Sequence, residues 1–323
     1  MSDFEKHNEE NNYLFRTYFL REGSTRAQKC PEIFQRQSES VQEINMWKKI
    51  ANALFIIFVV AIIGYCGYQI VTTLQERFLS NQEYITMRDH YVSAIHEDRE
   101  TKEEEKKDTK DTSGFPKLKV DVAGLTKINP DYAAWLYYKD ADISYPVVQS
   151  TIQDEDRYLT TTFEGKKNPS GCIFMDYSAD DAFRFNNTFL YGHNMANGTM
   201  FGSLKKIYQN PKDANDPYFY IYTKYGKVNR YRVFAVYVTD ENDTKAYSIP
   251  ATDDDYDKYI ATAMKHGSFT AYIPFTDAER NAIEKRNPIV TLSTCYGRAG
   301  TVKRLLVQGV YIESEAYQSG NQN

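Results

Sequence analysis

Cysteine and tryptophan are scarce in this chain of 323 residues, with four and two copies. The cysteines fall in unrelated settings: Cys30 in a polar N-terminal segment, Cys66 inside an apolar run, Cys172 in a strand-like stretch, Cys295 at a strand end. No pair has the C-x-x-C type of spacing, which removes a cysteine-based zinc site. A disulfide between Cys172 and Cys295 is the bland alternative to free thiols. A phosphate loop and a dinucleotide fingerprint are also missing, so no cofactor is expected. The net charge of −5 comes without a basic stripe, so nucleic acid is not an expected partner. No internal repeat points to a solenoid or propeller.

Charge is missing altogether from Ile50 to Val71 (IANALFIIFVVAIIGYCGYQIV). At 1.5 Å per helical residue this run reaches about 33 Å, enough to cross a hydrocarbon core. About fifty polar residues precede it, so it reads as a retained anchor rather than a cleaved leader. Lys48 and Lys49 before it, against Glu76 and Arg77 after it, predict the N-terminus inside and the C-terminus outside. The expected layout is a cytoplasmic tail at 1–48, a membrane helix at 49–71 and a helical stalk with a charged linker at 72–114. A catalytic domain at 115–316 and a short tail at 317–323 follow. Within the stalk, Ser80-x-x-Glu83 looks like a capping box opening a helix. Tyr84, Met87, Tyr91 and Ile95 form an apolar stripe at helical spacing, expected to pack on a neighbouring domain. The stretch 97–111 is almost wholly charged and reads as a solvated extension or spacer.

From about Phe115 the texture changes to short apolar runs broken by Gly, Pro, Asn and Asp. Strands are expected at Tyr145–Gln149, Gly171–Met175, Thr188–Tyr191, Tyr218–Tyr222, Val228–Val238, Ile289–Ser293 and Arg304–Tyr311. Helices are expected at Asp131–Tyr138 and Asp253–His266, the second opening on an acidic cluster suited to a helix N-terminus. Calcium at Asp253-Asp254-Asp255 is the other reading of that cluster. The 27 tyrosines fit either an exposed β-rich surface or a groove for an extended ligand. Many short strands and few helices make a mainly β barrel or sandwich of about 200 residues.

Three groups stand at the tips of these strands: His193 after Tyr191-Gly192, Cys295 closing Thr291-Leu292-Ser293-Thr294, and Arg304 nine residues later. Alternation puts Val290, Leu292 and Thr294 on one face and Thr291, Ser293 and Cys295 on the other, more polar one. If the last two strands pair antiparallel, Cys295 and Arg304 meet at one end. A free thiol has a pKa near 8.5, so little of it is nucleophilic thiolate at neutral pH. A neighbouring imidazolium and guanidinium raise that share, which makes covalent acyl transfer the natural chemistry. Taken singly, each residue has a plainer reading: a buried small hydrophobe, a loop histidine, a surface cation. Together and in this order they favour catalysis. No acidic third member is visible. His7, His90, His96 and His266 lie in polar or helical stretches and read as surface residues.

At these residues the chain resembles the sortases, class B in particular. The likeness covers most of 115–312, including NPDYAAWLYYKDADISYPVVQS, YLTTTFEGKKNPSGCIFMDY and NTFLYGHNMANGTMFGSLKKI as well as TLSTC. It implies a closed eight-stranded β-barrel with a few peripheral helices, preceded by one transmembrane helix and held outside a Gram-positive cell membrane. It implies a cysteine transpeptidase that cleaves a C-terminal Pro-x-Thr-type sorting signal and joins the new carboxyl end to an amine. Cys295 is then the nucleophile, His193 the acid/base and Arg304 the cationic partner, with Tyr191, Ser293 and Thr294 lining the substrate groove. The implied partners are surface proteins bearing the signal, a peptidoglycan precursor or cross-bridge amine, and the lipid bilayer through 49–71. Alternatives are a pilin-polymerising enzyme using a pilin lysine, a simple cysteine protease, and a non-catalytic binding protein on the same scaffold.

Overall fold

The computed structural model describes residues 30–94, 114–298 and 300–317. The 97–111 stretch, Ile95, His7 and His96 lie outside these residues. The chain divides into two units, Met1–Thr72 and Thr73–Asn323. Helix α1 runs over Cys30–Tyr91. It is the one helix among the described residues long and apolar enough to cross a membrane, and none of its most apolar window is buried. Ser80 does not open a helix: it lies inside α1 and is buried, and Glu83 bonds to another segment. A capping box needs a free helix start, and helical residues continue on both sides here.

The second unit is built on strands β3 (Tyr132–Tyr138), β4 (Ile143–Gln149), β5 (Ile173–Met175) and β6 (Thr188–Tyr191). It continues with β7 (Tyr218–Thr223), β8 (Lys227–Asp240), β9 (Ile289–Cys295) and β10 (Lys303–Ala316). These eight close into a barrel in the order β10-β8-β7-β3-β4-β5-β6-β9. A small ribbon of β1 (Val92–Ala94) and β2 (Leu118–Val120) stands apart from it. Helices α2 (Val122–Ile128), α3 (Leu204–Gln209), α4 (Asp253–Gly267) and α5 (Asp277–Glu284) are peripheral.

Strand β3 corrects the helix expected at Asp131–Tyr138. Its sequence YAAWLYY is buried at all but one position, so no alternation betrays it. It pairs with β4 and β7, and the Trp135 indole N–H donates to Ser144 Oγ at 3.0 Å. Burial on both faces rewards an unbroken apolar run, and aromatic side chains fit the pleat.

The barrel interior holds Trp135, Ile173, Leu190, Leu292, Leu305 and Val307, among others. A second cluster lies outside the wall, where Tyr256, Tyr259, Ile260 and Ala263 of α4 cover Phe234, Ile289, Leu306 and Val310. Strand β9 is therefore buried from Ile289 to Thr294 and β10 from Leu305 to Val310, and Cys295 and Arg304 lie where that burial ends. Helix α4 begins as its acidic first turn demands: Thr252 Oγ1 accepts from the Asp255 amide at 3.2 Å. Arg286 pairs with Asp253 and Asp257 of the same helix. Arg232 and Glu279 form an ion pair with side chains 0% and 4% exposed, completed by the Tyr218 hydroxyl.

Candidate active site

Strand β9 splits its side chains as the alternation requires. Val290, Leu292 and Thr294 belong to the interior set, while Ile289, Thr291, Ser293 and Cys295 share the outer face. Below the tip, that outer face carries a buried polar layer. Thr291 Oγ1 donates to Asn187 Oδ1 at 2.9 Å, and Asn187 Nδ2 donates to Tyr259 Oη at 2.8 Å. Tyr259 in turn donates to the Ala246 carbonyl at 3.1 Å. This network ties the loop between β8 and α4 to the cysteine strand. At the tip, Cys295 is a free thiol, half-buried, and Cys172 is free as well, so no bridge joins them. Burial pushes the Cys172 thiol up to about 12, which keeps it an inert core group.

Strand β9 is paired on both sides near Cys295. Strands β9 and β10 run antiparallel with Arg304 directly opposite Cys295. Such partners have Cβ atoms about 4.5–5.5 Å apart. On the other side β6 runs parallel to β9, with Tyr191 opposite Ser293. Two further bonds continue that alignment: the Gly192 N–H donates to the Ser293 carbonyl at 3.2 Å, and Thr294 Oγ1 donates to the Gly192 carbonyl at 2.7 Å. His193 follows Gly192 directly, just past the last paired residue of β6. Arg304 and Cys295 thus stand opposite each other, and His193 follows the end of the strand on the other side of β9.

Each neighbour is held. His193 Nε2 bonds the Leu159 carbonyl at 2.7 Å. A carbonyl only accepts, so Nε2 carries the hydrogen and Nδ1 is the basic nitrogen of the neutral ring. The His193 backbone carbonyl accepts from the Phe201 N–H at 3.0 Å, which folds the following loop back on itself. Arg304 Nη1 donates to the carbonyls of Thr301 (2.7 Å) and Lys303 (3.1 Å), and Nη2 donates to Glu241. Three of its five N–H donors are thus committed, and Nε–H is not among them. The fork is fixed in place with donor capacity to spare.

A wall of aromatic rings flanks the tip. Tyr191 lies 5.5 Å from Phe174 and 6.2 Å from Phe189, and Phe189 stacks on Tyr247 at 5.4 Å. Tyr247 Oη and Ser293 Oγ share a 2.8 Å hydrogen bond. Burial holds the Tyr247 phenol above its ordinary value; the Ser293 bond and Arg304 oppose this, and Cys295 and Glu241 add to it. Burial likewise raises Tyr191, helped by Tyr247 and Asp176. Both phenols are neutral donors near neutral pH. Ser293 and Thr294 are buried, with hydroxyls spent on Tyr247 and Gly192. Thr294 belongs to the interior face of β9, and its hydroxyl is bonded to the Gly192 carbonyl.

Sequence reasoning missed Tyr247, Glu241 and the Leu159 carbonyl. Tyr247 and Glu241 come from the loop before α4 and from the end of β8, and no pattern marks them. Gly192 had a signal, a glycine directly before a strand-end histidine. Among the described residues, no group of three or more His, Cys, Asp or Glu side chains is placed to hold a metal ion.

The described residues form a closed eight-stranded barrel with Cys295 and Arg304 at the paired ends of β9 and β10 and His193 just past the end of β6. The family model described as the sortase domain matches residues 136–312. Sortase B of Listeria monocytogenes is 32% identical over 209 residues, which cover 63% of this chain and 78% of that protein. The crystal structure of Clostridium perfringens sortase B superposes with a TM-score of 0.51 at 29% identity, covering 59% of this chain and 99% of that one. A Staphylococcus aureus sortase B–substrate complex gives a TM-score of 0.50 at 27% identity, over 59% of this chain and 84% of that one. The chain belongs to the sortase family, and its likeness is to class B. Membership implies a cysteine transpeptidase that acts on proteins carrying a sorting signal.

Proposed function

We propose that this protein is a membrane-anchored transpeptidase that cleaves a Pro-x-Thr-type sorting signal through a thioacyl intermediate on Cys295. The protein is then passed to a cell-wall amine. The observation that carries the reading is the double pairing of β9, with Arg304 opposite Cys295 on one side and the strand that leads to His193 on the other. The Cys295 thiolate attacks the Thr carbonyl of the extended signal. The oxyanion that develops is met by Arg304, whose fork is already fixed by Thr301, Lys303 and Glu241. His193, as imidazolium, gives its Nδ1 proton to the leaving amine, and the thioester forms as the C–N bond breaks. The acceptor amine then loses a proton to Nδ1 and displaces the thiol. Tyr191 and Tyr247 supply the wall against which the signal lies, and Ser293 and Thr294 support it from behind. The apolar part of α1 anchors the enzyme, with the barrel outside the cell.

The test uses the full chain in detergent with fluorogenic Pro-x-Thr peptides, with and without added amines, and mass spectrometry of the products. Cleavage that disappears in Cys295→Ala and His193→Ala, with an amine-linked product, is the expected result. Cysteine-independent cleavage overturns the reading, and so does no cleavage together with no labelling of Cys295 by a thiol-reactive peptide analogue.

A further inference from the structure

We infer that Tyr84, near the end of α1, is a positioning residue for His193: the helix entering the barrel domain sets the place of the acid/base. This inference rests on the reading of His193 given above.

The side chain of His193 is held by the Leu159 carbonyl, and Leu159 lies in the connection between β4 and β5. That connection closes on itself. The Cys172 N–H donates to the Tyr158 carbonyl at 2.9 Å, the Asn168 N–H to Thr160 at 2.8 Å, and the Thr162 N–H to Lys166 at 2.8 Å. Gly171 passes so close to the Leu159 carbonyl that position and neighbour are locked together. A Cβ on Gly171 would lie 2.3 Å from the Tyr158 oxygen and 2.9 Å from the Leu159 oxygen, and its φ is +56°. Only glycine takes both that contact and that conformation without strain.

Tyr84 pins this loop at two points. Its hydroxyl donates to the Gly171 carbonyl at 2.6 Å and accepts from the Phe163 N–H at 3.3 Å. The side chain is buried, and burial holds the phenol well above its ordinary value, so the donor stays protonated. Neighbouring turns of α1 add contacts: Glu83 Oε1 accepts from the Glu164 N–H at 3.2 Å, and Asn168 Nδ2 donates to the Glu76 carbonyl at 2.8 Å. A second route reaches the histidine backbone. The Tyr84 ring meets the Tyr145 ring edge-on at 5.4 Å, and Tyr145 Oη accepts from the Met200 N–H at 3.2 Å. Met200, at φ +54°, pairs with Asn194 in the loop that His193 opens. Both the imidazole and its backbone are thus held by parts that touch Tyr84.

The experiment compares Tyr84→Phe with the parent as full chains in detergent, labelled with ¹⁵N-histidine. Phenylalanine keeps the ring and removes the hydroxyl with its bonds to Gly171 and Phe163. The first readout is the His193 Nε2–H resonance, assigned by its absence in His193→Gln. The second is kcat and KM for the sorting peptide that the parent cleaves fastest. We expect the resonance to be lost to solvent exchange or shifted upfield, with kcat down about tenfold and KM within about twofold. Lys167→Ala, an exposed change on the same loop, leaves both readouts as in the parent. An unchanged resonance and an unchanged kcat overturn the inference and leave α1 as packing alone. Should Tyr84→Phe lose its fold by circular dichroism, Glu83→Ala is read by the same two measurements and the same criteria. A changed resonance in a chain whose His193→Ala variant still cleaves keeps the positioning and removes the acid/base reading, so the two failures are distinguishable.

Discussion

Gly192→Ala tests how tightly the rim is built. A Cβ at this position would lie 2.4 Å from Ile173 Cδ1 and 2.8 and 2.9 Å from Phe201 Cδ2 and Cγ. Ordinary carbon contacts lie near 3.5–4.0 Å, so something must move by about 1 Å. Neither neighbour has room, because Ile173 and Phe201 are both fully buried. The shift therefore falls on the end of β6, one residue before His193, where the Gly192 N–H and carbonyl hold the Cys295 strand. Overpacking of this kind costs about 1–3 kcal/mol. A misplacement near 1 Å at an acid/base costs about 10²-fold in rate. We expect kcat/KM for peptide cleavage to fall about 100-fold, while the thermal midpoint falls by only a few degrees. The control is alkylation of Cys295, which reports that the barrel still presents its thiol. A variant within about threefold of the parent in kcat/KM, with the stability loss present, would refute the close-packed rim.

Further expectations follow from the same geometry. Arg304→Lys keeps the charge but cannot make the three bonds to Thr301, Lys303 and Glu241. Thioacyl formation in a rapid-quench assay should slow by about 10²–10³-fold; an unchanged rate removes the fork from the mechanism. Tyr247→Phe loses the Ser293 bond at about 0.5–1.5 kcal/mol but keeps the stack on Phe189. It should raise KM with kcat nearly intact, and a pure kcat effect would count against the wall role. Burial by itself would push the Glu279 carboxyl up, but the Tyr218 hydroxyl, the Thr276 backbone and Arg232 outweigh it and hold the group below its ordinary value. A carboxyl lowered in the folded state stabilises above its unfolded pKa, about 4.3, and that contribution is lost as pH falls through the lower folded value. The parent's thermal midpoint should therefore fall on acidification below about pH 4. Glu279→Gln should lose about 3–5 kcal/mol at neutral pH and lack that part of the acid limb; equal melting curves across pH would contradict the pairing.

The strand-end placement of Cys295 and Arg304 was legible because polar and reactive residue types stood at the ends of apolar runs. TLSTC, YGH and the arginine opening RLLVQG each read as a tip, and alternation sorted Cys295 from Leu292 correctly. Helix α4 was legible through its acidic first turn, and the structure adds the Thr252 cap. Strand β3 was not, because burial on both faces removes the period-2 signal and leaves alanine and leucine to read as helix. The capping-box reading at Ser80 failed for a related reason: a local motif was matched without knowing that the helix had already begun.

By itself the sequence determined an apolar run free of charge, a β-rich remainder, and the identities of Cys295, His193 and Arg304. These are properties of composition and short-range order. Only the tertiary structure decided that β6 runs parallel and β10 antiparallel to β9, which puts Arg304 opposite Cys295 and the end of β6, leading to His193, on the other side. It also recruited Tyr247, Glu241 and the Leu159 carbonyl from distant segments. Barrel closure aligns residues far apart in the chain through backbone hydrogen bonds, and those bonds leave no trace in the side-chain sequence.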